Sequence, residues 1–368
     1  MTNRLIGKRI KALREERGLS QEELARLFGF NDRQTVSAIE TGNRQVSAEE
    51  LVLAAERLEA SLEYFTDPFM LVGEGRFSWR RTDIGTEQLE AYERKAGRWV
   101  AAFRTLAPQV GREMPLLRRK LNLVQGSRYE DAMQVGERFA ARFDLGDAPA
   151  TGLAEVMERE LGILVLYVDA DRGISGAACR LPDLDTVLIA RHEVVGRRHF
   201  DLAHELFHIL TWDAMPPKRF EDALETGGNR VEQLANNFAA AVLMPAGAVS
   251  RGGDWAGYSQ DALIAQLNAA ADAFHVTASA LKWRLVALGA ITKTAALAIP
   301  DAALRHNGRD HVQDAPPPLF SKPFMEVIGL AVGTGVVSVR RAAAVLDTTV
   351  DELADLFAAH DIAYPADL

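Results

Sequence analysis

His204-Glu205-Leu206-Phe207-His208 lies within the apolar run Phe200, Leu202, Ala203, Leu206, Phe207, Ile209 and Leu210 of a 368-residue chain. Apolar residues at this spacing read as a buried helix. On a helix, two histidines four residues apart project from one face, so both imidazoles can take one Zn²⁺ while Glu205 reaches a water on the ion. Two partly buried core histidines would give the same letters. A later stretch weighs against that: Val231-Glu232-Gln233-Leu234-Ala235-Asn236-Asn237-Phe238-Ala239-Ala240-Ala241-Val242-Leu243-Met244-Pro245 has helical periodicity, closed by proline, and carries a third ligand in Glu232. Catalytic zinc takes three protein ligands and keeps one position open. The expected set is therefore His204, His208 and Glu232, with Glu205 as the base that moves the proton. A ligand histidine needs a partner on its second ring nitrogen. Asp201 or Asn236 could serve, and each reads equally well as a solvated surface residue.

From about residue 163 to 291 the chain resembles the ImmA/IrrE family of zinc metalloproteases. The resemblance rests on Arg198-His199-Phe200-Asp201-Leu202-Ala203-His204-Glu205 and on Glu232-Gln233-Leu234-Ala235-Asn236-Asn237-Phe238-Ala239 through Leu243-Met244-Pro245. It implies that the equivalents of His204, His208 and Glu232 bind metal and that the equivalent of Glu205 is the catalytic base. Phe207 stands where the family commonly has glycine, which alters packing but leaves every ligand in place.

Ahead of the motif, Thr151 to Leu161 is amphipathic, and strands are expected over 162–168, 176–181 and 186–190. A small sheet beside the zinc helix could hold an extended substrate by strand addition. Tyr167, His192, His199 and Tyr258 are donors suited to a transition state, and the sequence does not choose among them. Cys179, the chain's one cysteine, falls in the second strand. The family resemblance places that strand near the active site, where the thiolate could be an inhibitory fourth zinc ligand. The other reading is a small buried hydrophobe. One cysteine excludes an intrachain disulfide framework.

The N-terminal segment is punctuated as short helices. Leu5, Ile6, Ile10 and Leu13 form a stripe; Ser20-Gln21-Glu22-Glu23 and Ser47-Ala48-Glu49-Glu50 are capping boxes; Gly29 stops one helix; Asn31 or Asp32 can cap the next. Residues 4–65 resemble the Xre/Cro-type helix-turn-helix family, notably in Ser20-Gln21-Glu22-Glu23-Leu24-Ala25 and Ile39-Glu40-Thr41-Gly42. The resemblance implies that Arg33, Gln34, Thr35 and Ser37 face the DNA major groove, with Gln34 suited to adenine and Arg44 to phosphate. A module of this kind also serves protein contacts alone, including homodimerisation or docking of a related repressor.

Lys+Arg against Asp+Glu is 9 to 6 over residues 1–44, 11 to 5 over residues 92–142 and 18 to 30 over residues 143–368. Local basic segments in an acidic chain suit nucleic acid, because phosphate responds to the nearby surface. In the second segment Trp99, Phe103 and Tyr129 interleave with Arg94, Lys95, Arg98, Arg104, Arg118, Arg119, Lys120 and Arg128. That texture suits single-stranded DNA; rings in a core beneath a solvated charged face would look the same. No apolar run reaches membrane-span length and the charged N-terminus is no secretory signal, so a cytoplasmic protein with no membrane partner is expected.

The expected fold class is α+β, mainly helical. An all-α helix-turn-helix domain (1–66) is followed by a basic helical linker region (67–145) and a zincin-like metalloprotease domain with a small β-sheet (146–304). A Pro-rich linker (305–318) then leads to a small helical C-terminal unit (319–368), whose acidity suits packing or protein contact. The fusion resembles anti-repressor proteases of bacteria and phages, including those beside anti-phage operons. It implies a zinc endopeptidase that cleaves an Xre-type transcriptional repressor after DNA damage or another stress, and the cation-and-ring texture of residues 92–142 adds single-stranded DNA as a candidate gate. The family's stress-response members carry a C-terminal sensor domain that the tail after Pro318 does not resemble. The alternative is a DNA-binding regulator whose protease-like domain senses metal or ligand without proteolysis. A toxin–antitoxin component is a third reading, which neighbouring genes would separate.

Overall fold

The computed structural model describes residues 2–73, 75–81, 84–222, 229–304 and 315–363. A five-stranded mixed sheet has the order β2-β4-β3-β1-β5. The strands are β1 (Arg76–Arg81), β2 (Ile163–Val168), β3 (Ile174–Arg180), β4 (Asp185–Ala190) and β5 (Phe220–Asp222). β2 runs parallel to β4; β3 runs antiparallel to both β4 and β1; β5 runs parallel to β1. Helices cover both faces, which is why Ile163-Leu164-Val165-Leu166 is continuously apolar instead of alternating.

Ile163, Val165, Ala178, Val187 and Ile189 face the active helix, Val195–Thr211. Leu164, Leu166, Ala177, Cys179 and Leu188 face the other way, into a core with Phe77 and Trp79 of β1. That second core is closed by the helix Thr86–Leu106 and by the C-terminal helices Lys322–Gly333, Val339–Leu346 and Val350–Ala359. The segment 67–145 is no separate linker, since it supplies a strand and a core helix. The C-terminal helices complete the same core, a packing role of the kind their acidity suited. The linker expected over 305–318 lies outside the described residues as far as 314.

The ring-and-cation texture of the middle segment also resolves. Trp99 and Phe103 are each 2% exposed, so no base can stack on them. Tyr129 lies under Arg230 and donates to Gln233, tying the helix Tyr129–Arg142 to the ligand helix Arg230–Leu243. These two helices touch closely because residue 136 is glycine: a side-chain carbon there would meet Phe238 O at 2.7 Å and Ala241 Cβ at 2.9 Å.

Both expected capping boxes, at Ser20 and Ser47, are present, and Asp32 rather than Asn31 caps the helix Arg33–Glu40. Gly29 takes φ 71°, the left-handed stop. Buried Arg9 donates to the carbonyls of Tyr64 at 2.7 Å, Asp67 at 2.6 Å and Met70 at 2.7 Å, so the helix-turn-helix holds the chain leading out of it. Among the described residues no helix is long and apolar enough to cross a membrane.

Candidate metal centre

The active helix and the ligand helix bring three side chains to one point. His204 Nε2 lies 3.0 Å from Glu232 Oε2, His208 Nε2 lies 3.1 Å from Glu232 Oε1, and the two Nε2 atoms are 3.0 Å apart. The three form a cluster with metal-ligand chemistry, two imidazoles and a carboxylate. His204 Nδ1 donates to Asn236 Oδ1 at 3.0 Å, which leaves the Nε2 lone pair for the centre. Burial, reinforced by the positive charge of Arg80, pushes the His204 pKa down to about 4, so the ring is neutral at physiological pH. His208 Nδ1 is buried without a hydrogen-bond partner among the described residues.

Glu205 lies next along the helix from His204. It is 2% exposed, packs beneath Gly176 of β3 and makes no hydrogen bond to a described residue. Burial raises its pKa well above the ordinary carboxylate value; Glu232 and Asp201 push the same way, and Arg80 opposes them. A cation in the trio would offset that cost by favouring the charged form. The chemistry available is proton transfer by a buried carboxyl beside a three-ligand centre.

Other sequence expectations fall differently. Asp201 reaches neither ligand histidine: its Oδ1 accepts from Arg80 Nη1 at 2.6 Å, because β1 brings a cation one helical turn before Glu205. Cys179 lies on the wrong side for a zinc ligand. Strand alternation turns Ala178 to the active helix and Cys179 into the far core, fully buried, where burial pushes the thiol's pKa well up. Phe207 fills its family-atypical place by packing on Phe238 at a ring distance of 5.6 Å. Of the four transition-state donors, His192 Nε2 and His199 Nδ1 are engaged, with Asp169 and His275 O, and Tyr258 lies beside Trp255. Arg80 is the site residue that sequence reasoning missed. The alternation of Phe77-Ser78-Trp79-Arg80 was the signal that could have marked its strand.

On the helix-turn-helix, Arg33 and Gln34 are exposed at the start of their helix, while Thr35 Oγ1 is 3.2 Å from the capping Asp32 Oδ1 and Ser37 is half-buried. Arg44 is not a free cation: it pairs bidentately with Glu50 at 2.7 and 2.9 Å and lies over Phe30.

Residues 10–65 match the family described as helix-turn-helix, and residues 158–286 match the peptidase family described as IrrE N-terminal-like domain. The chain is also similar to the HTH-type transcriptional regulator PrpR of Mycobacterium tuberculosis, 25% identical over 279 residues. That match takes in 65% of this chain and 56% of the relative, so the chain spans little more than half the relative's length. No solved structure matches the chain. The protein thus joins an Xre-type helix-turn-helix domain to an IrrE/ImmA-like peptidase-family domain.

Proposed function

We propose that the chain is a DNA-binding regulator with a zinc-dependent endopeptidase centre, and that its substrate is a transcriptional repressor of the Xre type, cleaved in response to stress or DNA damage. The observation that carries this is the convergence of His204, His208 and Glu232 within 3.0–3.1 Å, with Glu205 beside them and bonded to nothing described. The donor set fits zinc: Asn236 fixes the His204 tautomer, and burial keeps the ring neutral. Bound there, zinc would supply a Lewis acid and draw the pKa of water toward neutrality. Glu205 would take a proton from that water and return it to the leaving amine. Arg33 and Gln34 would carry DNA contact.

A second reading, metal or ligand sensing without proteolysis, is favoured by one observation: His204, Glu205 and His208 are each at most 2% exposed. One experiment separates the two. Zinc-loaded protein and its Glu205→Gln variant are incubated with a candidate repressor, with and without single-stranded DNA. Cleavage by the wild type alone supports the endopeptidase. Intact repressor in every arm, with both proteins still binding zinc, supports the sensor.

A further inference from the structure

Beside β3, the strand over the metal centre, lies β1, flanked on its other side by the short β5. Gly176 of β3 lies over the catalytic turn, where a side-chain carbon would sit 3.6 Å from Glu205 Cγ. On the outer side of β3 its antiparallel partner is β1, with Arg80 directly opposite Gly176. A peptide captured by strand addition occupies such a place, with main-chain hydrogen bonds giving affinity and alternate side chains giving specificity. β1 makes this arrangement from within the chain. Phe77 and Trp79 turn into the far core, while Ser78 and Arg80 turn to the metal face. There Arg80 Nη1 meets Asp201, a buried carboxylate one turn before Glu205. β1 also lies outside the segment that matches the peptidase family, residues 158–286.

We propose that β1 is a resident strand in the substrate position, and that the segment to be cleaved replaces it and presents an arginine or lysine to Asp201. This rests on the endopeptidase reading above. Exchanging one strand for another preserves the ladder hydrogen bonds to β3, with the three-residue pairing to β5 to be remade by the newcomer, so side chains set the balance. Asp201 stripped of Arg80 loses its 2.6 Å partner and keeps Arg197 Nε at 3.8 Å, so a buried carboxylate is left short of a close cation, a state that an incoming basic residue relieves and an apolar or acidic one does not. Asp201 is thereby a specificity-determining residue. The substrate class is an extended segment with a basic residue following alternating apolar positions, the pattern of Phe77-Ser78-Trp79-Arg80 itself.

The test uses the full chain. In Arg80→Ala, amide hydrogen exchange over residues 77–80 is expected to accelerate at least tenfold. A labelled peptide with the sequence of residues 75–81 should bind this variant at least tenfold more tightly than the same peptide with glutamine in place of Arg80. Adding Asp201→Asn should erase that preference. Equal binding of the two peptides, or binding of neither, overturns the specificity claim. Independently, Ser78→Cys with Ala178→Cys, which are register partners, ties β1 to β3 while leaving Arg80 in place. The oxidised form should cleave repressor at least tenfold more slowly than the reduced form. Equal rates would make β1 a permanent wall of the active enzyme and overturn the exchange. If no form cleaves any repressor while the Asp201-dependent peptide preference holds, the endopeptidase reading fails and the exchange stands.

Discussion

Asn236 is the residue whose role separates a metal ligand from a buried histidine. Its Oδ1 accepts from His204 Nδ1 and so aims Nε2 at the centre. Asn236→Ala should weaken zinc binding about 10- to 100-fold, read by competition with a chromogenic chelator. Glu205→Gln should leave zinc affinity near wild type and abolish cleavage. Cys179→Ala should change neither zinc content nor basal activity, because the thiol faces the second core; its effect should be a stability loss of about 1 kcal/mol from the small cavity left, measured by denaturant titration. That His204 and His208 share a face was readable from spacing, since helical periodicity fixes it, but the choice of Asn236 over Asp201 was not. The side of the sheet that Cys179 takes was not, because both faces of β3 are buried and its residues give no inside-outside contrast.

The helix pair that sets Glu232 in place depends on Gly136. Gly136→Ala must push the ligand helix away from the helix Tyr129–Arg142, because the nearest atoms are backbone and a packed methyl. Overpacking of this kind costs about 1–3 kcal/mol, so the thermal midpoint should fall and zinc affinity with it. A variant that melts and binds zinc like wild type would show that the helices separate freely. At this scale β2, β3 and β4 were legible because each is an apolar run bounded by turn residues, and the helix-turn-helix was legible because its caps are local chemistry. β1 escaped because half its partners lie about a hundred residues away, on β3. β5 is three residues long and pairs only with β1, so it leaves no period to read.

Across the whole molecule, one buried carboxyl joins the peptidase-family domain to the C-terminal helices. Glu158 accepts from Val165 N at 3.3 Å and lies near Ser321, and burial pushes its pKa from 4.5 to about 7 despite these polar neighbours. Its folded value is raised above the unfolded one, so its contribution to stability is fully present below about 4.5 and is lost as pH rises through about 7. The loss is on the order of 3 kcal/mol. Glu158→Gln should therefore flatten the fall in thermal midpoint between pH 5 and pH 8 (about the span of the shift), measured by calorimetry on both proteins. The overall architecture was half legible: helical ends and a central peptidase-family segment could be read, but not that residues 76–106 and 322–359 share one core.

The carbonyl clamp made by Arg9 ends at Met70, and β1 begins at Arg76. Six residues of chain span at most about 20 Å when fully extended, so a displacement of the helix-turn-helix domain beyond that reach pulls on the strand beside Asp201. If the helix-turn-helix binds an operator and β1 exchanges as proposed, the two are linked equilibria. Whatever factor DNA imposes on peptide affinity, the peptide must impose on DNA affinity.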